Sequence, residues 1–191
     1  MTDRCSALGA AVLALALGAC AESPPPEPPE PFDVAEASII ELGEAMAAGR
    51  ITSEELVGQY LARIEAYDQQ GPSLNAIIAL NPNAADDARA LDAERAAGNV
   101  RGPLHGIPVL IKDNYDLAGM PTTNGSIALA ELMPPDDGYQ VRRLKIAGAV
   151  ILGKTNLHEF ARGITTVSSV AGQTLNPYDT GRNPGGSSGG T

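Results

Sequence analysis

Asn183-Pro184-Gly185-Gly186-Ser187-Ser188-Gly189-Gly190 sets four glycines around two hydroxyls, a composition too costly in backbone entropy to serve as ordinary packing. It suits a strained backbone that must approach a ligand or a neighbouring strand closely. Upstream, Ile107-Pro108-Val109-Leu110-Ile111 reads as a buried strand and delivers Lys112 at its end. Desolvation lowers a lysine's pKa, so a sheltered amine can be neutral and act as a base. A neutral lysine beside a serine hydroxyl is the core of a Ser-Lys hydrolase, one variant of the Ser-His-Asp arrangement.

Working outward from these two stretches, strands alternate with helices, which implies an α/β sheet. Ile107 to Ile111 is continuously apolar, as for a strand covered on both faces. Asp113 to Thr123 reads as a loop. Tyr139 to Ala147 reads as a helix with Val141, Leu144 and Ile146 inward and Arg142, Arg143 and Lys145 mostly solvated. Ala149 to Leu152 is the next buried strand, and Asn156 to Arg162 a short helix. Before this core, Asp33-Val34-Ala35-Glu36 and Thr52-Ser53-Glu54-Glu55 read as capping boxes. The first opens a helix through Ile39, Ile40, Leu42 and Met46, stopped by Gly49. The second opens a helix with Leu56, Val57, Tyr60, Leu61 and Ile64 on one face, ending near Tyr67 before Gly71-Pro72. Ala76 to Leu80 is a short strand. Asn81-Pro82 starts an Ala-rich helix to Gly98 with Ala88, Leu91 and Ala96 on its buried side. These early helices read as a cover over a sheet.

Several function classes fall away on composition. The net charge is −10 and the pI near 4.5, against nucleic acid as a partner, because phosphate binding needs clustered Lys and Arg. The two cysteines, Cys5 and Cys20, lie in the first twenty residues, so the folded part has neither disulfide nor thiol nucleophile. His105 and His158 stand far apart without metal-ligand spacing, which speaks against a zinc site. Gly148 to Thr155 matches the letters of a phosphate-binding P-loop. That loop needs its four variable residues in a flexible turn, and here Ala149, Val150, Ile151 and Leu152 form a strand.

The amino terminus reads as a targeting segment. Arg4 precedes the apolar run Ala7 to Leu17, too short to span a bilayer and suited to a signal-peptide core. Leu17-Gly18-Ala19-Cys20 resembles a bacterial lipoprotein signal, which implies lipidation of Cys20 after cleavage. A plain secretory signal is the alternative. Ala21, rather than Asp, implies transfer to the outer membrane, on its periplasmic face. Pro24 to Pro31 is a polyproline-type spacer, extended and fairly stiff. The expected organisation is therefore a signal peptide over 1–19, a lipidated cysteine and tether over 20–32, and a folded domain over 33–191.

Gly102-Pro103-Leu104-His105-Gly106 through Lys112-Asp113-Asn114 resembles the lysine motif of the amidase signature family. Gly148 to Phe160 resembles the strand and helix that follow it there, and Asn176-Pro177-Tyr178 through Gly190 resembles the Gly/Ser-rich signature. The resemblance runs from about Ile39 onward, with the motifs in the family's order. It implies an amidase signature fold, a mixed sheet covered by helices, incomplete over these residues. It also implies hydrolysis of a small-molecule or peptide amide by a Ser–Ser–Lys triad, with no metal or cofactor.

By this resemblance Lys112 is the triad base and Ser187 the bridging serine, which in the family follows a cis peptide bond. Ser188, Gly185 and Gly186 support it, with Ser188 expected to hold the loop by hydrogen bonds. Arg162 lies where some members carry Met near the substrate pocket, though a solvated or structural role is the leading expectation. The family's attacking serine lies roughly two dozen residues beyond the bridging one, just after the oxyanion-hole amides. Both would fall past Thr191, so the expectation is the amino-terminal portion of a longer enzyme, inactive alone. A surface lipoprotein that keeps a partial amidase fold for binding, or a protein like the A-type subunit of the tRNA-dependent amidotransferase, are the alternatives. An export signal argues against the latter, by removing the protein from cytosolic tRNA.

Overall fold

The computed structural model describes residues 32–191. The signal core, Cys20 and the proline-rich run through Pro31 lie outside the described residues. Phe32, expected at the end of the tether, packs instead against the first core cluster, and the Arg50 guanidinium stands 5.3 Å from its ring centre.

Helix α1 spans Ile39–Ala47. Its N-cap is Ser38, whose hydroxyl and the Glu41 carboxylate cap each other's backbone N–H groups. The box expected at Asp33–Glu36 is a turn, with Asp33 accepting from Ala35 N and Glu36 in a left-handed conformation. The Ser-x-x-Glu spacing five residues later wins because it is followed directly by helix. Leu42, Ala45 and Met46 face the core, while Ile39 and Ile40 are exposed. Helix α2 spans Ser53–Ile64 with the expected Thr52–Glu55 box, and a π-helical turn carries it to Gln69.

Strand β1 is Ile77–Leu80 and helix α3 is Ala84–Ala96. The buried side of α3 is Ala84, Ala88 and Leu91; Ala96, expected inward, is exposed at the last turn. Strand β2 is Pro108–Lys112, helix α4 is Tyr139–Ile146, and strand β3 is Val150–Thr155. On α4, Val141 is buried and Leu144 half-buried, but Ile146 is exposed because the helix ends there and turns away through Ala147.

The three strands form one mixed sheet in the order β1-β3-β2, with β1 antiparallel and β2 parallel to β3. The complete cover expected of β2 belongs to β3, which is buried at every residue. Strand β2 has a single strand neighbour among the described residues, and only Ile111 in it is fully buried. Val150 and Leu152 pack toward α2 and α3, and Ile151 and Ile111 toward Val141 of α4. Helices on both faces of the sheet thus fix the end of β2. A short hairpin, β4 Val167–Ser168 with β5 Gly172–Gln173, follows.

The helix expected over Asn156–Arg162 is reduced to a single tight turn at Glu159–Ala161, with Phe160 and Ala161 left-handed. Its backbone donors are already committed. Asn156 N bonds Ala76 O at 2.7 Å, Leu157 N the Asn156 side chain at 2.9 Å, and His158 N the carbonyl of Ser187 at 2.9 Å. A helix cannot form where its first N–H groups serve other partners.

Candidate active site

The register of the parallel pair sets Lys112 opposite Thr155, at the carboxyl ends of both strands. From there the half-buried Lys112 reaches across to the glycine-rich turn, and its Nζ donates to Ser187 Oγ at 2.8 Å. Burial alone pulls the Lys112 amine below its ordinary value of 10.5, with no carboxylate opposing it. Deprotonated, the same amine accepts the hydroxyl proton instead. The Gly186–Ser187 peptide bond is cis.

The turn is held by a threonine to which no sequence pattern points. Thr166 is fully buried; its Oγ1 donates to Gly185 O at 2.6 Å and accepts from Gly189 N at 3.0 Å. One hydroxyl thereby latches both sides of the Gly186–Ser188 segment. The glycines are required by close approach. A Cβ at Gly190 would stand 2.4 Å from Ala76 O and 2.6 Å from Asn156 N, and one at Gly186 would stand 2.8 Å from the carbonyl carbon of Ile164. Gly185 sits at φ +92°, where a side chain is strained.

Ser188 differs from expectation. It is exposed, its side chain makes no hydrogen bond among the described residues, and its carbonyl accepts from Thr191 N at 3.2 Å. Thr166 does the work expected of it, because a buried hydroxyl faces the loop's carbonyl and N–H while Ser188 points to the cavity side. That cavity, about 360 Å³, is lined by Leu110, Lys112, Tyr115, Gln140, Ser188 and Thr191 among others.

Asn156 ties the turn to the sheet. Its buried side-chain amide donates to Thr174 Oγ1 at 2.9 Å and Gly172 O at 3.1 Å, and its Oδ1 accepts from Ser168 Oγ at 2.8 Å. Its carbonyl accepts from Gly190 N at 3.2 Å. Strand β3 continues straight through Gly153, Lys154 and Thr155, so no phosphate-cradling turn exists there. Lys154 is completely buried, with its Nζ 2.9 Å from Asp113 Oδ1. A lysine inside a continuously buried strand demands a buried counter-charge. That demand is the sequence signal by which the pair could be found.

The two histidines and Arg162 bring no side chain to this contact. His105 is a core residue: Nδ1 accepts from Arg101 N at 3.2 Å and Nε2 meets Leu91 O at 2.9 Å, which leaves neither ring nitrogen free. His158 Nδ1 lies 3.2 Å from Thr165 Oγ1. Arg162 is exposed.

A mixed α/β sheet that ends one strand on a lysine, against a serine in a glycine-rich turn, is the arrangement expected of the amidase signature class. The Amidase family model matches residues 55–191, and the chain belongs to that family. The A-type subunit of glutamyl-tRNA(Gln) amidotransferase from Acidothermus cellulolyticus is 44% identical over 160 residues, 83% of this chain and 31% of the relative. Its counterpart from Salinispora arenicola is 46% identical over 160 residues, covering 83% and 32%. Among solved structures, the peptide amidase PAM in complex with the competitive inhibitor chymostatin matches with a TM-score of 0.81 at 50% identity, over 83% of this chain and 34% of that one. The native peptide amidase from Stenotrophomonas maltophilia matches with a TM-score of 0.80 at 50% identity, over 82% and 33%. The chain therefore spans about a third of the length of these relatives.

Proposed function

We propose that these residues supply the base and the relay serine of an amide hydrolase, which converts a carboxamide to a carboxylate plus ammonia or an amine. The observation that carries this reading is the 2.8 Å contact of Lys112 Nζ with Ser187 Oγ. A neutral Lys112 takes the Ser187 hydroxyl proton while Ser187 takes that of an attacking serine. The attack forms the acyl-enzyme, and the proton returns through Ser187 to the leaving nitrogen. Water then releases the carboxylate by the same relay. No metal or cofactor has a role in this scheme. The 50% identity to peptide amidases supports a peptide or small-molecule amide as substrate.

The sequence of residues 1–31 supports export, a lipid anchor on Cys20 and a location on the periplasmic face of the outer membrane. Each of these rests on sequence alone. The amidotransferase relatives favour a second reading, an ammonia-supplying component that works with partners on tRNA.

The test is ammonia release from simple and peptide amides by the full-length gene product. Lys112→Ala and Ser187→Ala should each lower turnover by about a hundredfold or more. Unchanged turnover in Lys112→Ala removes that lysine from the mechanism. Turnover that appears only with partner proteins and glutamyl-tRNA establishes the second reading.

A further inference from the structure

Next in sequence after Lys112 comes Asp113, which forms the buried charge pair already noted with Lys154, both with no exposed surface. The Lys154 ammonium also donates to Pro121 O at 2.6 Å and Thr122 Oγ1 at 3.0 Å. The other oxygen of Asp113 accepts from Thr123 N at 3.1 Å and from the Thr123 hydroxyl. The backbone of Asp113 is fastened as well: its N–H donates to Thr155 O at 3.2 Å, and its carbonyl accepts from Asn124 N at 3.0 Å. Two ions withdrawn from water cost several kcal/mol each in desolvation, so such a pair is weak evidence for stability as its purpose. Its position suggests another purpose, since Asp113 is the next residue after Lys112 and Lys154 pairs with Ile111 across the strands.

We propose that Lys154 is a positioning residue for the Lys112–Ser187 pair: by cancelling the charge of Asp113 inside the fold, it keeps the neighbouring amine free of an uncompensated carboxylate. The pair is net neutral whichever partner holds the proton. Without Lys154, the Asp113 charge would favour the ammonium form of Lys112, which cannot accept a proton from Ser187. The other groups around Lys112 do not replace this control. Tyr115 and Asp116 lie in the exposed loop that follows, and the Asp116 charge acts on Lys154 rather than on Lys112. His158 of the segment after β3 meets Ser187 through its backbone N–H. Gln140, Val141 and Leu144, the α4 residues that line the cavity, carry no charge.

The inference rests on the reading of Lys112 as the base, and one measurement separates the two. On the full chain, competitive acylation with acetic anhydride across pH, mapped by mass spectrometry, gives the midpoint of the Lys112 amine. An ordinary midpoint in the unaltered chain defeats the reading of Lys112 as a base, and this inference with it. Given a lowered midpoint, Lys154→Met should raise it by about half a unit or more, slowing labelling near pH 8 about threefold. Asp113→Asn, which keeps the shape of the side chain, should lower the midpoint. The double variant should return it to within about 0.2 unit of the starting value. Unchanged midpoints in both single variants, or shifts of the same sign, would overturn the proposal and leave Lys154 a structural residue only. If circular dichroism shows that Lys154→Met does not fold, Asp113→Asn decides: a lower midpoint supports the proposal and an unchanged one sinks it.

Discussion

Two lysines lie near the carboxyl ends of adjacent parallel strands, Lys112 last in β2 and Lys154 next to last in β3, and their surroundings give them opposite characters. Lys154 on β3 is sealed from water, 2.9 Å from Asp113, and donates to two further oxygens. Lys112 on β2 is half-buried, with one side-chain partner among the described residues, the neutral Ser187 hydroxyl. The first is fixed by charge and can do little chemistry. The second is desolvated without a counter-ion, which is what a base needs. The difference comes from strand position. The central strand buries every residue and forces its lysine into an ion pair, while the outer strand leaves its lysine facing a cavity.

The contrast can be broken by substitution, and the largest effect should fall on the anchored lysine. Lys154→Met leaves Asp113 buried and unpaired, so the chain should lose about 3–5 kcal/mol of stability in urea unfolding. A loss as small as that of an ordinary surface change would mean the pair is open to water. Next, Gly190→Ala drives a methyl group into the Ala76 carbonyl and should cost about 1–3 kcal/mol by the same measurement. Thr166→Val removes both latch bonds and should cost about 1–3 kcal/mol, with faster hydrogen exchange at Gly189 N as the local signature.

Smaller effects sharpen the comparison from the Lys112 side. Lys112→Met should change stability by no more than about 1 kcal/mol, because the residue is partly exposed and makes one uncompensated hydrogen bond. It should also flatten a pH dependence. The folded amine titrates below 10.5, so between its lowered midpoint and 10.5 the unfolded chain binds more protons than the folded one. Stability therefore rises with pH through that window in the unaltered chain, and denaturant midpoints measured at successive pH values should show the rise shrink in Lys112→Met, the remainder belonging to Lys154, whose amine burial also lowers. A rise of equal size in the variant would assign it to another group.

Much of this is legible from residue order. The strand ending in Lys112, the Thr52 box and the sheet class follow from patterns that local physics enforces, and the meeting of Lys112 with Ser187 from the resemblance to the amidase signature family. What cannot be read is set by distant partners. Asn156 to Arg162 has helical texture, but its N–H groups are claimed by Ala76 and Ser187, which lie far away in sequence. Ile146 continues an apolar stripe that the helix end makes irrelevant. Thr166 carries no pattern at all, since its value depends on the loop that returns to it, about twenty residues later. Lys154 is visible, but it reads first as part of a phosphate-loop spelling. Its place inside an apolar strand asks for a carboxylate partner, and Asp113 answers from the neighbouring strand's end.

The Lys112–Ser187 contact and the bond between Thr174 and Asn75 join parts of the chain made long after one another. Lys112 meets Ser187 across 75 positions, and Thr174 meets Asn75 across 99. Contacts of such separation form late, because loop closure must precede any reward. During synthesis the helices and the first strands can gather early, but the Lys112–Ser187 contact must wait until the Gly-Gly-Ser-Ser turn has cleared the ribosome. A nascent chain stalled before that point would carry Lys112 without the hydroxyl it bonds.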